Sequence, residues 1–298
     1  MTRTTKARRS DNALAAGIAP LASTEGCTTT RYPGAVVWRM TVAQAPTPTL
    51  YGASLILVGS GAKEATFGDE IIVYDADNVL VVTSPLPMFC RTIASPERPV
   101  LTLVVDIELG LLRELLLELD GTSPRGTRPA RTVFRAPLTA ELESAGARLL
   151  SHLADDRRAK ALARSTVREL LFLLLDGPDG DSLRAIVEGV SARFARVLRH
   201  MNANFAEPMT IADLADLAHT SVPTFHQRFK AMTGTSPLQY LKMLRLTRAR
   251  QMLGEGGLVK TVAHDVGYES ESQFSREYRR YFGTPPSAAS LLAPRERE

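Results

Sequence analysis

The chain has two cysteines and five histidines in 298 residues, and each shortage excludes something. Cys27 and Cys90 are too few for a disulfide scaffold at this length, which indicates a reducing compartment. No histidine precedes His152, so the first half lacks the residues for a His-rich metal centre, and no cofactor is expected. The longest purely aliphatic or aromatic run, Leu170 to Leu175, is far short of the about 20 residues a bilayer helix needs. The basic opening MTRTTKARRSDN lacks the apolar core of a secretory signal. A soluble, cytoplasmic protein without membrane contact is expected. Gly-rich phosphate loop, nucleophile elbow and Cys-x-x-Cys are also missing. The adjacent acids Asp69 and Glu70 read as solvated turn charge, so no catalytic constellation survives.

What is present is a globular composition, 44% apolar and 23% charged, with length for roughly two domains. The net charge of +4 is unevenly placed. From Ser191 to Glu298 there are 15 Lys/Arg against 10 Asp/Glu, whereas the remainder is nearly neutral. Such a segment suits a polyanion, although solvated surface charge would give the same count.

Between 35 and 106, AVVWRMTV, SLILVGSG, EIIVYDAD, NVLVVTS and VLTLVVD read as short strands, with hairpin turns expected at Gly59-Ser60-Gly61 and Asp75-Ala76-Asp77-Asn78. That spacing favours a small β-barrel or sandwich. Helices are expected over about 108–119, 138–153 and 158–175, with a Gly/Pro/Arg loop DGTSPRGTRPAR after the first. The break GPDGDS follows at 177–182, and everything after about 184 reads as helical.

The last third repeats itself. Phe225, Phe229 and Gly234 stand at the spacings of Phe274, Tyr278 and Gly283, 49 residues on. Each set follows a short Ala/Leu/Val helix and a tight turn, the pattern of a helix-turn-helix present twice. In the second copy Phe274, Tyr278, Tyr281 and Phe282 gather on one side, with Ser272, Gln273, Arg276, Arg279 and Arg280 on the other. In the first, Val222, Phe225, Phe229 and Met232 are expected inward and Pro223, Thr224, Gln227 and Lys230 outward, with His226 at the edge. The intervening SPLQYLKMLRLTRARQML begins with a Ser-Pro start signal and reads as one long helix.

TSVPTFHQRFKAMTGTSPLQYLKMLRLTRARQML followed by VGYESESQFSREYRRYFGTPPS resembles the AraC/XylS family of transcription regulators over about 195–290. GASLILVGSGAKEATFGDEIIVYDADNVLVVTSPLP is similar to the sensor domain of one branch of that family, more loosely. A flexible arm is expected over 1–30. The resemblance implies an α+β chain: a cupin-like β-barrel with a helical hairpin over 31–183, and an all-α double helix-turn-helix domain over 190–298. It implies a homodimer on double-stranded promoter DNA, RNA polymerase as a partner if the protein is an activator, and a barrel that senses a small molecule or sets dimer geometry. Carried over by position, Pro223, Thr224, His226, Gln227 and Lys230, with Glu271, Ser272, Gln273, Ser275 and Arg276, would face the DNA. Arg276 suits guanine, Gln227 or Gln273 adenine and Glu271 a cytosine amino group, whereas Arg279, Arg280 and Lys230 are better placed for phosphates. His219 stands at a turn position where the family often has Gly. In the barrel, Trp38, Arg39, Tyr51, Tyr74 and Arg91 are candidate effector contacts. Cys90 beside Arg91 is either an activated thiol or a buried inert one. The rival from another class is a cupin-like enzyme with an accessory helical domain; an RNA target is disfavoured by the absence of RNP-like and GxxG motifs.

Overall fold

The computed structural model describes residues 12–68, 70–119, 131–187 and 189–291. It divides into two compact units, one running to Ala192 and one from Arg193 on, with Thr47–Leu50 grouped with the latter. The architecture is mixed α+β, sheet-rich in the first unit and helical in the second.

The described strands of the first unit are β1 Gly26–Thr29, β2 Ala35–Met40, β3 Gln44–Tyr51, β4 Ser54–Ser60, β5 Ala62–Phe67, β6 Glu70–Asp75, β7 Asn78–Val82, β8 Leu86–Ile93, β9 Val100–Asp106 and β10 Val133–Pro137. They form a six-stranded sheet, β1-β2-β9-β4-β7-β10, and a four-stranded sheet, β3-β8-β5-β6. β3 carries Pro46 and Pro48 and lies at the sheet edge, where a missing ladder donor is tolerated. β4 is buried along its whole length. Leu55 and Leu57 join a core built with the helices α1 Ala13–Leu21, α2 Leu109–Glu118, α3 Ala140–Leu153, α4 Asp156–Leu175 and α5 Gly180–Val187. On the opposite face of that sheet, Met40 Sδ receives the Thr92 hydroxyl of the four-stranded sheet at 3.6 Å.

The expected hairpins at 59–61 and 75–78 are instead corners at which the chain changes sheets. β4 and β7 belong to the larger sheet, and β5 and β6, on the far side of these turns, to the smaller. Gly61 takes φ +74°, and a Cβ there would lie 2.6 Å from Val100 Cγ2. Asn78 Nδ2 donates to Asp75 Oδ1 at 2.8 Å to close the second corner. The segment expected as a loose arm is also corrected from residue 12 on. Asn12 caps α1, accepting from the Leu14 amide while its amide nitrogen donates to the carbonyls of Val58 and Ala76. Leu14 and Ile18 are fully buried, and Gly59 and Gly146 leave no room for a Cβ against Ala15 and Leu14. Asn12 and these apolar contacts tie the segment to the sheet instead of leaving it in solvent. The expected loop over 120–130 and Asp69 lie outside the described residues.

α6 Gly189–Ala203 runs into the second unit, which contains α7 Ile211–Leu217, α8 Val222–Thr233, α9 Pro237–Gly254, α10 Val259–Asp265 and α11 Glu271–Phe282. α8 and α11 are each twelve residues long and offset by 49.

Candidate nucleic-acid interface

Each copy of the repeat is built by the same local devices. Thr210 and Asp213 form a capping box at the start of α7. The Ser270 hydroxyl accepts from the Gln273 amide to start α11. Gly234 (φ 70°) and Gly283 (φ 77°) end α8 and α11 in left-handed caps, their amides donating to the carbonyls of Lys230 and Arg279. In the turns, Gly267 takes φ +84° and His219, at the corresponding place in the first copy, takes φ 52°.

Aromatic anchors fix how each helix is rolled. Phe225 and Phe229 are fully buried, Phe225 stacked on Phe194 and Phe229 packed edge-on against Tyr240. Phe274 and Tyr278 are buried against Tyr268 and Phe282. Burying one such ring is worth about 1.5–3 kcal/mol, far more than any surface contact opposing it. The outer faces follow from that roll. Pro223, His226, Gln227 and Lys230 are exposed and Thr224 is half-buried, its hydroxyl accepting from Ser221 at 3.0 Å. Glu271, Ser272, Gln273, Arg276, Arg279 and Arg280 are exposed and Ser275 is half-buried. One expectation fails here: Val222 is 40% exposed, because the first residue of the helix overhangs the core. Tyr281 and Phe282 are half-buried on the expected side, packed against the core that holds Phe274 and Tyr278, and Phe282 lies 5.0 Å beneath the Arg250 guanidinium.

Three residues that brace this candidate interface, Glu277, Lys242 and Arg245, were not singled out in the sequence, because their partners lie on other elements. Glu277 accepts from Lys242 on α9 (3.1 Å), from the Tyr268 hydroxyl (3.0 Å) and from Gln273 (3.5 Å). Burial alone would raise its pKa, but these partners outweigh it and hold the carboxyl below the usual glutamate value. Arg245, also on α9, donates to the carbonyls of Phe205, Gly267 and Glu207. A cleft of about 400 Å³ is lined by Leu241, Lys242, Arg245, Tyr268, Gln273 and Glu277.

In the first unit the candidate effector residues separate. Tyr51, Tyr74 and Cys90 are buried together, with the two phenol oxygens 2.7 Å apart. Burial pushes both tyrosines well above their ordinary pKa, and the Cys90 thiol adds to this. Arg91 does not join them: it is exposed and pairs with Glu64 at 3.4 Å on the outer face of β5 and β8. Arg39 shares the helix-covered face with Val37, and Trp38 points the opposite way and is 36% exposed. The cation that shares a face with Tyr74 is Lys63, whose short, charged strand AKEATF gave no strand signal in the sequence. Among the described residues no group of three or more His, Cys, Asp or Glu side chains is arranged to hold a metal.

Comparison with known proteins agrees with both halves. Residues 31–182 match the model of the AraC-type transcriptional regulator N-terminus, and residues 214–290 match a helix-turn-helix domain. An AraC-like transcription regulator of Streptomyces lividans is 42% identical over 93 residues, 31% of each chain. The transcriptional activator RhaS of Citrobacter koseri is 31% identical over 181 residues, covering 59% of this chain and 61% of that one. The chain thus spans under two thirds of the length of these curated relatives. Among solved structures, ToxT from Vibrio cholerae with a bound unsaturated fatty acid is similar in fold, with a TM-score of 0.63 at 10% identity, covering 89% of this chain and 96% of that one. With an N-terminal domain matched over half of its length, followed by a repeated helix-turn-helix, the chain belongs to the AraC-type transcriptional regulators.

Proposed function

We propose that this chain binds promoter DNA sequence-specifically through α8 and α11, under the control of a small molecule taken up by the sheet-rich unit. The observation that carries the reading is the pair of twelve-residue helices, each pinned by two buried aromatic rings so that its opposite face is exposed and polar. The 18-residue helix between them spans about 27 Å, a length that suits recognition helices in successive major grooves. Arg276, Gln273, Gln227 and Glu271 are assigned to base edges, with His226, Ser272, Thr224, Pro223 and Ser275 beside them. Lys230, Arg279 and Arg280 are assigned to phosphates.

The relatives favour the same reading. RhaS is named a transcriptional activator, which suits RNA polymerase as a partner, and ToxT has been solved with an unsaturated fatty acid, which suits an effector in the first unit. Homodimerisation through 138–175 belongs to the proposal, and so does a cytoplasmic, non-enzymatic role; no helix among the described residues is long and apolar enough to cross a membrane. The test is selection from fragmented genomic DNA with full-length protein. A motif with two half-elements about one helical turn apart supports the reading, and sequence-indifferent, salt-sensitive recovery refutes it.

A further inference from the structure

β5 places Lys63 directly across from Tyr74 on one neighbouring strand and from Thr92 on the other. Residues opposite each other in a ladder share a face, and Tyr74 and Thr92 are buried. Lys63 therefore leaves its strand toward the inside of the sheet pair, as do Ala65 and Cys90 one step along. Glu64, between them, points the other way, to Arg91. Lys63 ends up half-buried among hydroxyls, a thiol and apolar surface. Among the described residues its Nζ donates no hydrogen bond and meets no carboxylate. Burial pulls its pKa below the ordinary lysine value, while nearby Cys90 works in the opposite sense.

A partly desolvated ammonium without a counter-charge is a costly arrangement. It becomes favourable when an anion is brought to it, since the low local dielectric then strengthens the attraction. The groups that share a face with Lys63 suit the rest of a carboxylate's needs. Tyr51 and Tyr74 are bonded to each other at 2.7 Å, which uses one hydroxyl hydrogen and leaves the other to donate. Ile72 and Ala65 supply apolar wall on the same face.

We propose that Lys63 is the charge anchor of a binding site for a small monocarboxylate with an apolar body, with the one remaining hydroxyl hydrogen of the Tyr51–Tyr74 pair donating to the carboxylate and Ala65 and Ile72 contacting the apolar part. The site rests on the reading of the first unit as effector-binding, and it gives that effector a chemical class.

The test is calorimetric titration of the full chain with the straight-chain carboxylates from acetate to octanoate, each beside the primary alcohol of equal length. At least one carboxylate is expected to saturate and to bind about tenfold or more tighter than its alcohol. Lys63→Met is expected to erase that difference, and Lys63→Arg to keep most of it. Without ligand, Lys63→Met is expected to melt above wild type, because it removes an unpaired charge; a bound carboxylate should narrow the gap. Equal carboxylate affinity in wild type and Lys63→Met, a Lys63→Met melting point below wild type, or no saturation anywhere in the series at millimolar concentration overturns the site. DNA selection run on the same preparations keeps the two readings apart. An intact motif alongside failed titrations removes only the carboxylate site, and a lost motif alongside successful ones removes only the DNA assignment.

Discussion

The guanidinium of Arg245 donates through Nη1 to the carbonyl of Gly267 at 2.9 Å, tying the long helix between the two repeats to the turn of the second. Its Nε reaches the Phe205 carbonyl at 2.7 Å and its Nη2 that of Glu207 at 3.1 Å. Gly267 also packs so closely that a Cβ would lie 2.3 Å from the Ala206 carbonyl oxygen, at a φ of +84°. Arg245→Ala should destabilise the C-terminal unit by about 2–3 kcal/mol, with Arg245→Lys recovering little, since an ammonium cannot span the same carbonyls. Gly267→Ala should cost at least as much through clash and strain. Urea unfolding checks both, and midpoints near wild type would show the junction to be dispensable.

His219 holds φ 52° where the second copy of the repeat uses Gly267. A left-handed backbone costs a side-chain-bearing residue about 1–2 kcal/mol, partly offset by the entropy glycine loses on folding. His219→Gly should therefore stabilise by about 0.5–1 kcal/mol. A β-branched residue such as valine there should destabilise by more than that. A lower urea midpoint for the glycine variant would mean the imidazole makes a contact worth more than the strain.

Glu277 links pH to α11, the second helix of the proposed DNA-binding pair. Its pKa is depressed in the folded state, so its contribution to stability is complete above the ordinary glutamate value of 4.5 and is lost as pH falls through the lower folded value. Stability measured downward from pH 5 should drop more steeply in wild type than in Glu277→Gln. The same variant releases Gln273 from one of its partners and should alter preference at a single base pair while leaving the salt dependence of DNA binding unchanged.

The two arginine classes on α11 should separate in binding assays. Arg276→Ala should lose about 1–3 kcal/mol of specific binding and relax one base position, whereas Arg280→Ala should weaken all sequences alike and reduce the salt slope by about one. Identical profiles for the two variants would remove the distinction between base and phosphate contact.

Cys27 is exposed and Cys90 is 4% exposed among Tyr51 and Tyr74. Iodoacetamide should label the folded protein once, at Cys27, and Cys27→Ser should leave it unlabelled until denatured. Rapid labelling of Cys90 would instead support the activated thiol weighed in the sequence.

The helical domain was legible because its signals are local. A helix period brings Phe225 to Phe229 and Phe274 to Tyr278 within one turn, and Gly234 and Gly283 mark their own helix ends. The candidate DNA-facing set follows from those anchors without knowledge of any distant contact. The sheet unit was legible only in part. Five strands announce themselves by β-branched residues, but Gly59-Ser60-Gly61 reads equally as a hairpin or a corner, and which sheet β5 joins is decided by partners far along the chain. For the same reason the sequence could offer Arg39 and Arg91 as effector anchors, while strand pairing turned both away from Tyr51 and Tyr74 and set Lys63 beside Tyr74. Local backbone preference and periodicity determine which residues can form a helix face. Only long-range pairing of strands, where one step of register reverses every side chain, decides which charge faces the inside.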